Sequence, residues 1–352
     1  KLKNIIFLLN PFNFSINIKT YSPEILIDNN ELKLEIVKTN LSLKSFLQKE
    51  FLIDDLSLST KTVDIKDLIF LARSYKNSAE LLVLNQVIKS GFLIADVNFN
   101  FDKNGQIKDD YEINGILNNT KLDLLKKNKV EDLNFIFKIK KNEYYLENIE
   151  SKFNKIKIFL PWIEIQKRNN QYFVSGKLKT DEKDIDIDML NNFFENRLKK
   201  LNIEKIIFNS NNDISFIIDK KFKINDFNLV SAINIKNINY KNNLLNFSKY
   251  IKNFKDTLVF EDHQILLSYK KNRFNINGKG KIKIENKTDS ISYKIQQRNN
   301  QYIVNASLDL SKNDFSIPIL NYKKKKNSDL SIKVDAIYGV KKKLTLNNFS
   351  IK

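Results

Sequence analysis

Apolar and polar residues alternate in short segments along almost the whole chain, and this pattern limits the possible folds more than any other feature. In one early segment Leu32, Leu34 and Ile36 are separated by Lys33 and Glu35. Because successive side chains of a strand point to opposite faces of a sheet, each such segment indicates a half-buried strand. The sequence therefore predicts a mostly β protein: a long, twisted antiparallel sheet that curls into an elongated apolar groove, with a few short capping helices.

The apolar members of the clearest alternating segments are our candidates for the lining of that groove. They belong to five alternating segments of the sequence. The candidates are Val97, Phe99, Phe101, Phe135, Phe137, Ile139, Ile233, Ile235, Phe274, Ile276, Ile282 and Ile284.

Helical spacing of apolar residues interrupts the strands at a few places. One stretch begins at Ile65, and a second follows a predicted capping box formed by Asn77 and Glu80, so we expect a helical insertion over about 65–90 that stops at Gly91. Further helices are predicted for Asp188 to Leu201 and, with a weaker pattern, for Leu244 to Phe254.

Pairs of turn-forming residues separate the predicted strands. Asn104-Gly105 indicates a tight hairpin, and similar breaks are predicted at Asn169-Asn170, Asn211-Asn212 and Asn299-Asn300. The segments IQKRNNQYFV and IQQRNNQYIV begin at Ile165 and Ile295, which suggests repeat modules of about 91–200 and 203–315, although chance similarity in an Asn-rich chain remains an alternative. Residues 1–352 contain no Gly-rich or Pro-rich linker, so we expect one continuous groove region.

The formal net charge of +19 does not predict a nucleic-acid partner. Nearly all of the positive charge is lysine, whereas nucleic-acid surfaces also favour the bidentate guanidinium of arginine, and the few arginines are scattered. The densest basic run is Lys323 to Lys326, which we interpret as a solvated turn, with contact to an anionic headgroup or polymer as the alternative.

Residues that carry catalysis or bind metals are scarce. The chain has no cysteine, its single histidine is His263, and no glycine-rich phosphate loop or carboxylate pair is evident. The sequence therefore predicts neither an enzyme nor a cofactor or metal site, and His263 is interpreted as a structural or surface residue. Three aspartates that alternate with isoleucines are interpreted as the solvent-facing side of a strand: Asp184, Asp186 and Asp188.

The segment from Leu41 to Leu125 resembles the AsmA-like family, the group that includes AsmA, TamB and YhdP, and in particular the AsmA-like proteins of AT-rich marine alphaproteobacteria. The likeness begins in TNLSLKSFL, which starts just before this segment at Thr39, and includes the strand and helix pattern that follows through VNFNFDKNGQIKDDYEINGIL. It continues in NNDISFIIDKKFKINDFNLVSAI and DHQILLSYKKNRFNINGKGKI. These motifs are structural patterns, so the family has no active-site residues to transfer to this chain.

The resemblance implies a periplasmic protein held in the inner membrane by an upstream N-terminal helix, whose groove binds phospholipid acyl chains during lipid transport to the outer membrane, together with unknown envelope proteins. The residues allow the same function, since an apolar trough gives acyl chains a lining without directional contacts, and each buried methylene contributes roughly 0.8 kcal/mol. The main alternative is a structural or adhesive β-rich surface protein with a closed core. A carbohydrate-active β-sandwich enzyme is a second alternative, and a nucleic-acid binder comes last.

Overall fold

The computed structural model describes residues 4–27, 30–75, 78–124, 128–153, 156–186, 203–241, 250–251, 254, 257–271, 273–284, 286–298, 301–325, 328–339 and 344–352. Within these residues, 20 strands belong to one antiparallel sheet that is not closed, and three short α-helices interrupt the strands. The prediction of a mostly β chain built on one long antiparallel sheet with a few short helices is confirmed.

Contacts divide the chain into a first unit, Lys1–Gly176, and a second unit, Lys177–Lys352. The elements of the first unit, up to the strand in which the division falls, are β1 (Ile5–Asn10), β2 (Ser15–Tyr21), β3 (Glu24–Ile27), β4 (Asn30–Ser42), α1 (Leu43–Gln48), β5 (Ile53–Thr60), β6 (Val63–Asp64), α2 (Ile65–Tyr75), α3 (Ala79–Val87), β7 (Ile88–Asn100), β8 (Glu112–Leu124), β9 (Asn128–Lys140), β10 (Glu143–Phe153), β11 (Ile156–Arg168) and β12 (Gln171–Asp186).

The second unit continues with long strands and ends with shorter ones. Its elements are β13 (Ile203–Ile218), β14 (Ile224–Lys241), β15 (Thr257–Lys270), β16 (Arg273–Ile284), β17 (Lys287–Arg298), β18 (Gln301–Asp309), β19 (Ser316–Ile317), a 3-10 turn (Pro318–Leu320), β20 (Tyr322–Lys323), β21 (Ser331–Tyr338) and β22 (Leu344–Ile351). Strands β19 and β20 form a separate pair. The modules predicted for about 91–200 and 203–315 remain predictions.

Most strands pair with the next long strand in the chain, so residues that alternate along one strand meet their counterparts on its neighbours. In the first unit the order of pairing is β1, β2, β4, β5, β7, β8, β9, β10 and β11. In the second unit β13 to β18 pair in sequence, followed by β21 and β22. Because paired residues share a face, the apolar positions of all these strands collect on one face within each unit, which we call its dry face.

Irregular residues interrupt the alternation in the first unit at neighbouring positions. Asn119, Asp132 and Asn148 have φ angles of 49°, 51° and 50°, and the registers of β8 with β9 and of β9 with β10 shift next to them. Asn and Asp adopt this left-handed conformation more readily than other side chains, and bulges of this kind bend and twist a sheet. Asn134 joins two of them, since its Oδ1 accepts from the Asn119 N–H and its Nδ2 donates to the Asp132 carbonyl.

Several local predictions need correction. The N-cap of α3 is Ser78, whose Oγ accepts from the Leu81 N–H, and Gly91 lies inside β7 because α3 already ends at Val87. Asn211 and Asn212 lie within β13 and form no turn, whereas both residues of the Asn169-Asn170 turn have positive φ. The helix predicted for 188–201, most of that for 244–254, and the turn at 299–300 lie outside the described residues.

The Lys323 to Lys326 run was also predicted incorrectly at one position. Lys324 is buried, and its Nζ donates to the carbonyls of Ser311 at 2.8 Å and Asn313 at 3.0 Å. Two carbonyl acceptors compensate for the lost hydration of the ammonium group. Lys324 therefore stabilises a loop and is not available to an anionic ligand.

Candidate functional site

A row of side chains crosses the dry face of the first unit. Val97 of β7 pairs with Ile113 of β8, Ile113 with Ile139 of β9, Ile139 with Tyr144 of β10, and Tyr144 with Ile165 of β11. In the other direction the row continues through Leu58, Val37, Thr20 and Ile5. At a spacing of about 4.8 Å per strand, the nine strands of this row span roughly 38 Å.

The dry face of the first unit is only partly covered. Val97, Ile113 and Ile139 are half-buried, although the interior of a closed sandwich would bury such positions almost completely. The neighbouring Phe137 is 7% exposed, and its ring lies over Gly115, where a Cβ atom would come within 2.5 Å of the Phe137 Cζ. An apolar surface that remains partly open to solvent is therefore present across several strands.

All six candidate lining residues of the first unit lie on this face. Val97 and Phe99 lie on β7, and Phe135, Phe137 and Ile139 lie on β9. Phe101 follows the end of β7, and its ring centroid lies 5.5 Å from that of Phe51. The pairing of the strands brings these residues together on one face. It also places there residues that were not among the sequence-based candidates, above all Ile113, Leu146 and Ile163.

The pair of helices α2 and α3 lies against β7 and reaches the neighbouring strands. In α2 the side chain of Ile69 is buried. In α3, by contrast, no residue is buried, although Leu81 to Leu84 are all apolar and Leu82, Val83 and Leu84 are at least 37% exposed. A helix that is apolar on most of its surface is normally buried. Its apolar residues are thus close to the dry face and not fully covered.

The first turn of α3 is held by polar contacts to β11 and β12. Glu80 Oε1 lies 3.4 Å from Lys167 Nζ and accepts a hydrogen bond from Tyr172 Oη at 3.3 Å. Hydrogen bonds from its own N–H and from Ser78, together with Lys167, hold the pKa of Glu80 below its usual value. Burial raises the pKa of the nearby Tyr144. These contacts fix one end of α3 over the row that contains Tyr144 and Ile165.

The candidates of the second unit also share one face. Ile233 pairs with Ile265, which pairs with Gly278, and Ile276 pairs with Leu267. Ile235 pairs with His263, a buried side chain whose Nε2–H donates to the Lys281 carbonyl at 3.0 Å. Burial lowers the pKa of His263 below 6.5. The hydrogen bond to the Lys281 carbonyl and the negative charge of Asp262 act in the opposite direction and raise this pKa.

Six aromatic residues follow the second dry face near one end of its strands, and the sequence analysis identified only one of them, Phe274. Neighbouring rings lie 5.4–6.4 Å apart where they are in contact, and Phe274 pairs directly with Tyr269. The six are Phe216, Phe227, Tyr269, Phe274, Tyr302 and Tyr338. In the sequence, each of these aromatic residues lies within four residues of one end of its strand.

Ile282 and Ile284 lie at the other end of the second dry face, in a closed core. Ile284 is 1% exposed and packs with Leu258, Leu310 and Leu330. A buried polar cluster adjoins this core, in which Asp289 accepts hydrogen bonds from Ser311, Lys312 and Asn313. Ile282 and Ile284 therefore contribute to stability, and the part of the face available to a ligand lies nearer Ile233 and Phe274.

The described residues offer little for chemistry. None of them form a group of three or more His, Cys, Asp or Glu side chains that could hold a metal ion. His263 contacts Phe260 and Tyr293 edgewise or at a tilt, so its ring is part of the packing. Among the helices in the described part of the chain, none combines the length and apolarity needed to cross a bilayer.

Comparisons with known proteins identify no relative: no family model, no curated protein sequence and no solved structure matches this chain.

Proposed function

We propose that this chain is a non-enzymatic lipid-binding protein whose dry face holds phospholipid acyl chains, and that it supports lipid transport between the inner and outer membranes of a Gram-negative bacterium. The observation that carries the proposal is the half-exposed apolar face of the first unit, with the largely apolar helix α3 against it and no residue of α3 buried. A ligand between helix and sheet would remove both surfaces from water.

The chemistry of this face favours acyl chains over ligands that need directional contacts. Its rows consist mostly of Ile, Val, Leu and Phe, with Tyr144 and Thr20 as the polar members of the row described above, so it offers mainly dispersion contacts and few of the hydrogen bonds that a sugar, peptide or nucleotide requires. A row of roughly 38 Å also exceeds the roughly 15 Å thickness of one leaflet of the hydrocarbon core. Lysines, tyrosines and carboxylates at the rim, such as Lys167 and Tyr172, suit a zwitterionic or anionic headgroup.

The wider assignment depends on the likeness to AsmA-like proteins in the sequence. Under that hypothesis the protein acts in the periplasm, an upstream helix anchors it in the inner membrane, and envelope proteins receive or supply the lipid. The absence of a catalytic motif in the sequence agrees with a protein that moves its ligand without transforming it.

The experiment compares two identical substitutions on opposite faces of β9. Ile139→Asp places a carboxylate on the dry face, whereas Ile136→Asp changes a residue on the opposite face that is already 43% exposed. The chain is expressed with an export signal in a Gram-negative host, and the phospholipid bound per protein is quantified by lipid extraction and native mass spectrometry.

We expect bound phospholipid in the wild type and in Ile136→Asp, and several-fold less in Ile139→Asp. Far-UV circular dichroism verifies that both variants fold, and Ile139→Gln replaces Ile139→Asp if the latter does not. Folded wild-type protein without lipid would favour the alternative of a closed structural or adhesive β protein. Equal lipid in both variants would exclude the dry face as the binding surface.

A further inference from the structure

The loop between β1 and β2 presents an aromatic side chain to solvent on a turn whose backbone is held by hydrogen bonds. Phe12 is 98% exposed. The side chain of Asn10 holds the loop, since its Oδ1 accepts hydrogen bonds from the N–H groups of Phe12 at 3.1 Å and Asn13 at 3.2 Å. A Phe exposed in this way contributes no burial to the folded core, and it points to a contact surface only where other exposed apolar residues lie beside it.

Helix α1 adds more exposed apolar residues at the same end of the strands. Phe46 is 66% exposed and Leu47 is 71% exposed. The Leu43 N–H donates to the Phe14 carbonyl at 3.0 Å, so the start of the helix is attached to the loop. Leu9 on β1 is 67% exposed, and we call the exposed apolar residues at this end of the strands the apolar tip: Leu9, Phe12, Phe46 and Leu47.

The distribution of charge around the apolar tip is unusual for this chain. Charged residues make up 29% of the sequence, yet none occurs from Asn4 to Ile18. On α1 and its C-cap, Lys44 and Lys49 are exposed, whereas Glu50 is paired with Lys103 at 3.1 Å. Neutral apolar side chains with lysines beside them match the boundary between the acyl region and anionic headgroups of a bilayer.

We propose that the apolar tip inserts into the surface of an anionic phospholipid bilayer. Leu9 pairs with Ile16 and Ile16 with Leu41, so the tip continues into the dry face of the first unit. Only the purpose of insertion rests on the proposed function: insertion would bring the dry face to the membrane from which lipid enters or leaves. Insertion itself requires only the residues of the tip.

The test is flotation of the whole chain with vesicles of phosphatidylethanolamine and phosphatidylglycerol. Phe12→Asp alters a side chain that is almost fully exposed, so the fold should be unaffected. Its matched control is Ile319→Asp, since Ile319 is 91% exposed on the 3-10 turn of the second unit. Burial of one Phe side chain in the bilayer should increase partition of the protein onto vesicles about tenfold or more. Phe12→Asp should therefore lower vesicle binding about tenfold, and Ile319→Asp should leave it unchanged.

A positive signal comes from tryptophan fluorescence. Trp162 is the single tryptophan of the chain, so Phe12→Trp combined with Trp162→Phe places the only indole at the tip. We expect a blue shift on addition of vesicles and quenching by brominated acyl chains. Emission that stays unshifted and unquenched, or equal binding by Phe12→Asp and wild type, would overturn the inference.

Two further outcomes separate membrane insertion from self-association and from the proposed function. Loss of a dimer or larger assembly in Phe12→Asp, measured by mass photometry without vesicles, would assign the tip to contact with a second copy of the chain and overturn membrane insertion. Lipid that co-purifies with the protein reports on the dry face, and we expect its amount to be the same in Phe12→Asp and wild type.

Discussion

Gly280 leaves a notch in β16 that the ring of His263 fills, and this contact yields a quantitative prediction. A Cβ atom at position 280 would lie 2.3 Å from Cδ2, 2.4 Å from Cγ and 2.7 Å from Nε2 of His263. Contacts of this kind normally occur at about 3.5–4.0 Å, so the ring would have to move by more than about 1 Å. His263 has little room to move, because it is 3% exposed and lies between Phe260 and Tyr293.

The cost of Gly280→Ala follows from these contacts. Overpacking contributes about 1–3 kcal/mol, and loss of the hydrogen bond from His263 Nε2–H to the Lys281 carbonyl adds about 0.5–1.5 kcal/mol. In a His263→Ala background the obstacle is absent, and replacement of a glycine inside a strand should then stabilise by about 0.5–1 kcal/mol. The gain from replacing the glycine acts in both backgrounds and cancels, so the double-mutant cycle should give a coupling free energy of about 1.5–4.5 kcal/mol.

The assay is urea unfolding of the four proteins, followed by far-UV circular dichroism. Gly278→Ala is the matched control, since its Cβ would meet only the hydroxyl end of the half-buried Tyr293 side chain and would leave His263 in place, so it should cost less than Gly280→Ala. An equal cost of Gly280→Ala in the wild-type and His263→Ala backgrounds would show that the His263 ring is not the obstacle.

Three further predictions concern titration and exchange. The lowered pKa of His263 means that the native state resists protonation there, so stability should fall as pH decreases below 6.5, and His263→Asn should remove this loss. Burial alone would raise the pKa of Asp289, but the hydrogen bonds that it accepts lower its pKa below 3.8. Asp289→Asn should therefore destabilise the protein by about 1–3 kcal/mol above pH 3.8, and the difference from wild type should shrink at lower pH. Glu80→Gln removes the ion pair that holds α3 to Lys167, so it should accelerate exchange of a fluorescent phospholipid. The expected increase is about two- to threefold, since an exposed ion pair contributes little to stability.

Each of these predictions has a direct control. Urea midpoints measured from pH 3 to 8 separate the two titrations, and a His263→Asn variant that keeps the wild-type loss of stability near pH 6 would contradict the first. Asp289→Asn with wild-type stability at pH 7 would contradict the second. For Glu80, the control is Glu50→Gln, since Glu50 is paired with Lys103 away from α3, and equal exchange rates in both variants would contradict a role for the α3 contact.

The alternation of apolar and polar residues was sufficient to predict the strands and the dry face, because directly paired residues of neighbouring strands lie on the same face of a sheet. Val97 and Ile139 are far apart in the sequence, and Ile113 joins them in one row as the period of two requires. Asn169-Asn170 formed the predicted turn for a similarly local reason, since Asn tolerates positive φ at both positions.

Features that depend on distant partners could not be predicted in this way. Asn212 was interpreted as part of a turn, but it is buried in β13, where its Nδ2 donates to the Leu178 carbonyl at 3.1 Å. Ile284 has the same alternation as Ile233, and only the loop that contains Leu310 decides that one lies in a closed core and the other does not. The cover of a strand is set by tertiary packing, which its own sequence does not encode.

Site-specific photocrosslinking can show whether the dry face of the first unit touches acyl chains. A benzophenone amino acid is introduced at Ile139, on the dry face, or at the adjacent Lys138, on the opposite face. After irradiation of cells that express the exported chain, covalent phospholipid adducts are identified by mass spectrometry of the purified protein. We expect adducts at position 139 and none at position 138. Adducts at 138 alone, or none at 139 in folded protein, would show that acyl chains do not lie on the dry face.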